Sequence, residues 1–376
     1  MDLLSQIALS MTPGIGNATL RRLEELLPGE DPFAMSQSQL RELFGTHINI
    51  INSILDKSLH ARAEEELRFC ERNRIKALYF THPQYPKLLN SPETADCPAL
   101  LYVIGDADLN AQRPVAVVGT RRATAIGRDN TAALVRGLKA YDSPIVSGLA
   151  YGIDTAAHTA ALDYGLPTIA VLGHGLDRIY PPSNRPLAKR IIECGGALVT
   201  EYPSHTAINP RYFPARNRII AALSEATVVV EASEKGGALI TAAIAASYHR
   251  EVYAVPGRLS DPYSKGTNNL IATSRALLLR NANDIAFHQG WPMIGQQLDL
   301  AVAKEPLSLT KGEQSMIDLL SHNDSLALDE IATRLDMTLP QAASLLFNLE
   351  MQNLVRTLPG HLYQLRVKNE ELRMKN

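Results

Sequence analysis

A chain of 376 residues with 45% hydrophobic content is long enough for two or three folding units, each with its own core. The formal net charge of −2 excludes neither a nucleic acid nor an acidic partner, because a whole-chain average hides local patches. Three scattered cysteines, Cys70, Cys97 and Cys194, exclude a disulfide framework and a cysteine zinc cage.

The termini and the apolar runs bear on location. The N-terminus lacks a basic region followed by an apolar core, and no segment approaches the length of a membrane span. We therefore expect a cytoplasmic protein with no membrane partner.

Charge is unevenly distributed along the chain. Residues 113–258 contain 16 Lys and Arg against 11 Asp and Glu, whereas residues 309–368 contain five against seven. We expect the positive field to lie in the middle of the chain.

The first 74 residues are predicted to form a small helical domain, because apolar residues such as Leu20, Leu23 and Leu27 recur at helical spacing. Within it, the glycine-containing segment 12–19 resembles the hairpin of helix-hairpin-helix modules, whose backbone N–H groups contact a DNA phosphate. The alternative is an ordinary glycine turn between two helices.

Residues 75–288 are predicted to form an α/β domain, a doubly wound Rossmann-like parallel sheet. Short Val, Ile and Ala runs alternate with helical stretches, which favours crossover connections and a sheet covered on both faces. The predicted strands lie near residues 77–80, 99–104, 115–118, 145–147, 168–172, 197–200, 227–231 and 252–255.

The rest of the chain is predicted to be a linker over 289–306, a winged-helix domain over 307–368 and a tail over 369–376. Three helical stretches, near 310–321, 327–335 and 339–353, precede two strands about a Pro-Gly turn. The third helix has no Lys or Arg and contains Glu350, so it lacks phosphate anchors. We expect a protein-contact or weak auxiliary role for this domain.

Glycines and basic residues directly follow the apolar strands, which is typical of a phosphate-binding edge of an α/β sheet. After Val118 the chain reads Gly119, Thr120, Arg121 and Arg122 before a helix starting near residue 126. Paired guanidinium groups, the N–H groups of Gly119 and Thr120 and a helix N-terminus suit a phosphate, whereas the alternative is two surface arginines. The spacing is not Gly-x-Gly-x-x-Gly, so a dinucleotide site is weakly supported.

The next strand ends in Gly148, and a helix predicted over 154–163 follows. Asp154 and His158 share a helix face and could form a general acid/base pair. A helix cap at Asp154 with a hydrogen-bonded His158 is the favoured alternative.

Basic and polar residues also follow the third and fourth strands. Gly173 and Gly175 precede a proline-containing loop with Asn184 and Arg185. Beyond it, Arg216, Asn217 and Arg218 are expected in the first turn of a helix over 216–223, where cations oppose the helix dipole, so an anionic partner is favoured over pairing with Glu201.

Lys235, Gly236 and Gly237 open a further helix, at which phosphate oxygens could bind, and Lys265 is expected in a flexible loop able to close over a chain. The sequence contains no Ser/His/Asp or Cys/His arrangement with a convincing nucleophile, no carboxylate cluster for magnesium and no Walker lysine. We expect no catalytic residues, no metal and no cofactor.

These motifs together resemble the DNA-processing protein A (DprA/Smf) family. The resemblance runs, in order, through residues 119–121, 147–154, 173–177, 213–220, 236–241 and 255–257. It implies a non-enzymatic, homodimeric recombination mediator that binds single-stranded DNA, protects incoming DNA in natural transformation and passes it to the RecA recombinase.

The resemblance also implies that Arg121 grips a phosphate, with Asn184 or Arg185, Arg216 and Arg218 supporting it. Tyr180, Tyr212 and Phe213 are candidate stacking platforms or core residues. The rival functions are a nucleoside-monophosphate phosphoribohydrolase-like enzyme, with Asp154 or Glu231 near the ribose, and a sequence-specific repressor. The full set of candidate phosphate-binding residues is Gly119, Thr120, Arg121, Arg122, Gly148, Gly173, Gly175, Asn184, Arg185, Arg216, Asn217, Arg218, Lys235, Gly236, Gly237 and Lys265.

Overall fold

The computed structural model of the chain describes residues 1–292, 309–323, 325–351, 354–358 and 362–365. The chain forms two compact units, residues 1–297 and 298–376. The predicted linker, 289–306, lies mostly outside the described residues and the predicted tail, 369–376, lies entirely outside them. Among the described residues no helix is both long and apolar enough to span a bilayer.

The first unit begins with a helical segment that packs on the edge of a sheet. Asp2 caps the first helix by accepting a hydrogen bond from the Ser5 N–H, at 2.8 Å. The core of the segment includes Ile7 and Leu40 and continues into the buried rings of Tyr79 and Tyr102 on the sheet. The domain boundary at residue 74 therefore stays a prediction. The helices are α1 (Leu3–Met11), α2 (Asn17–Leu26), α3 (Gln37–Phe44), α4 (Ile48–Leu55) and α5 (Lys57–Arg72).

A nine-stranded, mostly parallel sheet forms the centre of the first unit, with the order β1-β2-β6-β5-β4-β3-β7-β8-β9. Strands β3 to β9 pair in parallel, whereas β1 and β2 extend one side as antiparallel strands. The strands are β1 (Lys76–Tyr79), β2 (Leu100–Gly105), β3 (Val115–Val118), β4 (Ile145–Ser147), β5 (Thr168–Val171), β6 (Ala197–Thr200), β7 (Ala226–Val229), β8 (Glu251–Ala254) and β9 (Leu277–Leu278).

Helices cover both faces of this sheet. The side chains of a strand alternate between faces, so Val115 and Val117 enter one core while Ala116 and Val118 enter the other. The predicted fold class, a doubly wound parallel sheet, is confirmed. The helices are α6 (Ala125–Leu138), α7 (Ile153–Asp163), α8 (Arg185–Glu193), α9 (Tyr212–Ala222), α10 (Ala238–Ser247), α11 (Lys265–Ala272) and α12 (Ala282–His288). Short 3-10 turns occur at Pro32–Ala34, Lys87–Leu89, Pro92–Thr94, Lys139–Tyr141 and Pro182–Asn184.

The strand order reverses direction at β3, which has β4 on one side and β7 on the other. The chain leaves β3 toward β4, β5 and β6, and returns to add β7, β8 and β9 on the opposite side. In open α/β sheets, ligands bind in the crevice that such a reversal opens at the carboxyl ends of the strands.

The described part of the second unit has the helix and strand order of a winged helix. Its helices are α13 (Lys311–Ser321), α14 (Leu328–Arg334) and α15 (Leu339–Met351), and its strands are β10 (Leu326–Ala327), β11 (Val355–Leu358) and β12 (Leu362–Leu365). The strands pair in the order β10-β12-β11. Thr310 and Glu313 form a capping box at the start of α13, and Met316, Ile331 and Leu346 fill the core between the three helices.

Candidate nucleic-acid interface

A cavity of about 460 Å³ opens at the switch point between β3 and β7. Eight of the sixteen sequence-predicted residues line it: Gly119, Thr120, Arg121, Arg122, Arg216, Asn217, Gly236 and Gly237. The structure thus brings together residues that are up to 118 positions apart, because β3, β7 and α9 all approach this crevice.

The turn after β3 is held rigidly by backbone contacts. The Thr120 N–H donates to the Glu231 carbonyl at 2.7 Å, and the Thr120 carbonyl accepts from Ile153 N–H at 3.2 Å. A side chain at Gly152, whose φ is +79°, would collide with the Thr120 carbonyl. The expectation that the Thr120 N–H binds phosphate is therefore wrong, since the Glu231 carbonyl, two residues beyond the end of β7, already accepts from that donor.

Two exposed arginines stand at the mouth of the cavity. Arg121 and Arg122 form no ion pair within the part of the chain that the structure describes. The Arg121 guanidinium carbon lies 5.9 Å from the centre of the Phe213 ring, which itself lines the cavity. A cation over an aromatic face, with its donors toward solvent, remains available to an anion.

The opposite wall is formed by the start of α10. Gly237 precedes the helix with open space where a side chain would be, and the amides of Gly237 and Ala238 donate no hydrogen bond to any described residue. Helix N-termini attract anions through such free amides and the helix dipole. We call Arg121, Arg122, Gly236 and Gly237 the rim group.

Arg216 forms part of the cavity wall from within the protein and is 4% exposed. Its Nη1 donates to the carbonyl of Gly148 at 2.6 Å and to that of Val171, and its Nε donates to Asn217 at 3.2 Å. Its Nη2 has no hydrogen-bond partner among the described residues. The helix begins at Tyr212 rather than at Arg216, so the expectation of cations in its first turn is wrong.

The buried charges of Arg216 and Asp154 compensate each other. Burial lowers the pKa of Arg216 to about 10, an effect that the Asp154 carboxylate opposes, so the guanidinium stays charged at neutral pH. Burial in turn raises the pKa of Asp154, and this increase is opposed by the Arg216 guanidinium and by hydrogen bonds from backbone N–H groups.

Asp154 is not the cap of α7. The cap is Gly152, and Asp154 lies inside the first turn, where its Oδ2 accepts from the N–H groups of Gly148 and Ala150 at 3.2 and 3.4 Å. The carboxylate thus fixes the loop after β4 instead of the helix end.

His158 is fully buried one turn further along α7. Its Nδ1 lies 2.7 Å from Thr168 Oγ1, whose hydroxyl donates to the Ile145 carbonyl, so Nδ1 carries the proton. Burial lowers the pKa of His158 to about 3. The favoured alternative of a hydrogen-bonded histidine is confirmed. We call Asp154, His158 and Arg216 the floor cluster.

Arg218 does not line the cavity. Its Nη1 and Nη2 donate to both carboxylate oxygens of Glu201, at 2.9 and 2.7 Å. Although burial alone would lower the pKa of Arg218, the Glu201 carboxylate raises it above its ordinary value. The alternative of pairing with Glu201 is confirmed, and this guanidinium is already occupied.

Asn184 and Arg185 also lie away from the cavity. Asn184 is buried and donates from Nδ2 to the Leu149 carbonyl at 2.9 Å and to Thr155 Oγ1 at 3.0 Å, which ties the loop after β5 to that after β4. Arg185 is exposed at the start of α8. The expectation that Asn184 contacts phosphate is wrong, because its side-chain amide already donates hydrogen bonds within the protein.

The glycines after β4 and β5 are buried as well. A side chain at Gly148 would meet the Arg216 guanidinium, one at Gly173 would meet Phe213 and one at Gly175 would meet the Pro203 carbonyl. These glycines allow close packing beneath the cavity and expose no binding surface, which corrects their assignment as phosphate contacts.

The two predicted lysines fall outside the cavity. Lys235 is exposed and borders a separate hollow of about 520 Å³ beside Gly236. Lys265 is the first residue of α11, so its assignment to a flexible closing loop is wrong. The loop before it is anchored instead, since the Tyr263 carbonyl accepts from the Ala232 N–H at 2.7 Å.

Several cavity residues are absent from the predicted set of phosphate-binding residues. Ile240, Ser233 and Tyr263 line the cavity. The residues after the Gly236-Gly237 pair could have been included on proximity alone, whereas Tyr263 carries no signal because its position depends on the path of the loop after β8.

Aromatic rings extend the cavity on the α9 side. The rings of Tyr180 and Phe213 lie 5.5 Å apart, and those of Tyr202 and Tyr212 are stacked at 4.4 Å. Tyr180 is 43% exposed. No group of His, Cys, Asp and Glu suited to a metal ion occurs within the described ranges.

Comparisons with known proteins agree on one family. The model of DNA recombination-mediator protein A matches residues 76–289, and that of the DprA winged helix domain matches residues 302–361. Protein Smf of Synechocystis is 32% identical, over 96% of this chain and 98% of that protein. The chain belongs to the DprA/Smf family.

Solved structures of DprA proteins support this membership. DprA of Streptococcus pneumoniae has a TM-score of 0.65 at 31% identity and covers 76% of this chain and 97% of its own. DprA of Helicobacter pylori, described for its single-stranded DNA binding mode, has a TM-score of 0.51 at 30% identity and covers 60% of this chain and 96% of its own.

Proposed function

We propose that this DprA/Smf protein binds single-stranded DNA across the cavity at the switch point of its sheet. The observation that carries the proposal is that Arg121 and Arg122, the buried Arg216 and the first amides of α10 surround one cavity. Neither the two exposed guanidinium groups nor the amides of Gly237 and Ala238 are paired with a described residue. Backbone phosphates are the ligand for which guanidinium forks and helix N-termini are jointly suited.

The shape of the site favours a single strand over a duplex. A cavity of about 460 Å³ walled by Phe213 and Pro214 admits a phosphate with its sugar, not a double helix. The exposed ring of Tyr180 beside Phe213 offers a surface on which a base can stack. Binding of this kind depends weakly on sequence and strongly on salt.

By family membership, the bound strand would be protected and transferred to RecA during natural transformation. The H. pylori relative's single-stranded DNA binding supports the first step. The transfer predicts that catalytic amounts of the protein speed RecA filament formation on single-stranded DNA, in a manner that depends on Arg121.

We further propose a homodimer through the α/β domain. Strand β9 lies at the end of the sheet with Leu277 and Leu278 36% and 45% exposed, and an open apolar edge strand is suited to pairing with a second copy. Light scattering should show a dimer that Leu278→Lys converts to a monomer.

The two carboxylates that the rival enzyme function would need, those of Glu231 and Asp154, already accept hydrogen bonds within the protein. Both oxygens of Glu231 accept from Thr124, at 2.9 and 2.5 Å, and Asp154 holds two backbone N–H groups. If the protein released free base from nucleoside monophosphates, the enzyme function would be supported and the present proposal would be contradicted.

The decisive experiment is an anisotropy titration of labelled oligothymidylate across a salt series. Arg121→Ala should weaken binding by more than about 1 kcal/mol and make the salt slope shallower. The matched control is Arg136→Ala, which removes an exposed arginine with no ion pair among the described residues from the last turn of α6, away from the carboxyl ends of the strands. Equal loss in both variants would refute the assignment of this cavity.

A further inference from the structure

A second cavity, of about 740 Å³, adjoins the first. The two share Tyr263, and both border the end of β7, one at Val230 and Glu231 and the other at Ala232 and Ser233. A strand gripped in the first cavity therefore has a neighbouring space within reach of its next nucleotide.

The second cavity is preformed by a loop that is tied down at both ends. Gly257 N–H donates to Asn268 Oδ1 at 3.1 Å, and Asn268 Nδ2 donates back to the Gly257 carbonyl at 2.9 Å. At the other end, the Tyr263 carbonyl accepts from Ala232 and the Ser264 N–H donates to the Asp261 carbonyl at 3.0 Å. Such a loop fixes the walls without needing a ligand.

Its charge differs from that of the first cavity. Two carboxylates, those of Glu231 and Asp261, line it together with one exposed guanidinium, that of Arg258. The Glu231 oxygens are both held by Thr124 and cannot turn away. Two carboxylates against one guanidinium give the cavity a net negative charge that disfavours a phosphate, so the occupant is a part of the strand that carries no negative charge.

Its walls suit a flat ring. Ile126, 58% exposed, and Val255 face the cavity together with Pro256, Pro262 and Tyr263. A pocket that combines such apolar and aromatic walls with polar side chains able to reach a base edge is an environment in which proteins hold an unstacked nucleobase.

The polar groups in the second cavity favour particular bases. The Asp261 carboxylate and the Asn130 amide both line it, and neither side chain has a hydrogen-bond partner among the described residues. A carboxylate accepts from the exocyclic amine of cytosine, and an amide side chain pairs with adenine, whereas uracil and thymine present a carbonyl at that position.

We propose that the second cavity is a nucleobase subsite that selects bases carrying an exocyclic amine. The inference rests on the proposed single-stranded DNA binding and adds to it a source of sequence preference. Phosphates would be held by the rim group, and the neighbouring base would enter between Ile126 and Tyr263 with its amine toward Asp261.

The test compares oligodeoxycytidylate with oligodeoxyuridylate of equal length at pH 7.5, since the two bases differ only where the amine replaces a carbonyl and in the ring nitrogen beside it. The wild-type protein should bind the cytosine strand at least about fivefold more tightly, the lower end of a specific base contact. Asp261→Asn should reduce this ratio to near one, because an amide can donate to the uracil carbonyl as well as accept from an amine.

The matched control is Asp129→Asn, which removes an exposed carboxylate from α6 next to Asn130 without touching the cavity. It should tighten both strands equally and leave the ratio at its wild-type value. Circular dichroism verifies that each variant is folded.

Each outcome is decisive. Equal wild-type affinity for the two strands would overturn the base subsite and leave the proposed function standing. A ratio that persists in Asp261→Asn would overturn the assignment to this cavity. Failure to bind either strand would overturn the proposed function and the subsite together.

Discussion

The rim group borders the same cavity as two members of the floor cluster, Asp154 and Arg216, and the two groups use arginine in opposite ways. Arg121 and Arg122 are exposed and form no ion pair with any residue that the structure describes, so they are free to meet a ligand. Arg216 is buried and donates to the carbonyls of Gly148 and Val171. A guanidinium at the end of a strand is therefore not by itself a binding group. Its exposure and its existing partners decide between binding and architecture.

The largest effect should come from the floor. Arg216→Ala leaves two carbonyls without donors and the Asp154 carboxylate without its compensating cation, so the free energy of unfolding should fall by about 3–5 kcal/mol. Urea unfolding measures it. Adding Asp154→Asn to that variant should recover part of the lost free energy of unfolding. A loss below about 1 kcal/mol for Arg216→Ala would contradict the distinction between a structural floor cluster and a ligand-binding rim group.

The next largest effect is a pH dependence of stability that comes from His158 in the floor cluster. Burial holds the pKa of His158 near 3, below the 6.5 of an unfolded chain, so its contribution is fully present above pH 6.5 and is lost as the pH falls toward 3. Stability should decrease by about 1.6 kcal/mol between pH 6.5 and pH 5 from this residue alone. Protonation would add a proton at Nε2, which has no acceptor among the described residues.

The matched variant for this effect is His158→Asn, which retains a donor near Thr168 and does not titrate. Urea unfolding at the two pH values should show a smaller decrease in this variant than in the wild type. An identical decrease would assign the acid sensitivity to other groups.

At the rim, binding should change while stability does not. Arg122→Ala removes an exposed guanidinium without any ion pair in the described part of the chain, so unfolding should shift by less than about 0.5 kcal/mol. Loss of its phosphate contact should nevertheless weaken the binding of oligothymidylate and of other single-stranded sequences equally, and reduce the salt slope by about one. A large loss of stability would place Arg122 with the floor.

The smallest effect is expected from the winged helix. Helix α15 exposes Leu339, Phe347 and Met351, and Glu350 accepts from Thr357 instead of leaving room for a basic contact. Removing residues 307–376 should change single-strand affinity by less than about twofold, or 0.4 kcal/mol. Abolished binding in the anisotropy titration would move the interface to this unit.

The sequence was sufficient to predict the sheet and the location of the site, because strands of buried Val, Ile and Ala residues ending at glycines are local signals. The predicted strands near 115–118 and 145–147 coincide with β3 and β4. Strand β9 was missed, since two residues carry no period, and α12 was missed because it contains a single turn of buried residues.

What the sequence could not separate was the fate of each polar group within the site. Arg121, Arg216 and Arg218 look alike in sequence, yet one is free, one holds strand ends and one is bound to Glu201. Asn184 likewise supports a loop. These outcomes depend on which carbonyl or carboxylate the fold brings within hydrogen-bond distance, and that information is not local.

Hydrogen exchange with and without oligothymidylate tests the central claim most directly, because it reads the contact surface without altering any residue. Binding across the cavity should protect the amides of residues 119–122, which follow β3, and of residues 236–238, at the start of α10, and leave those of α15 unchanged. Protection confined to α15 and the β11–β12 hairpin, with none at the ends of the strands, would contradict it.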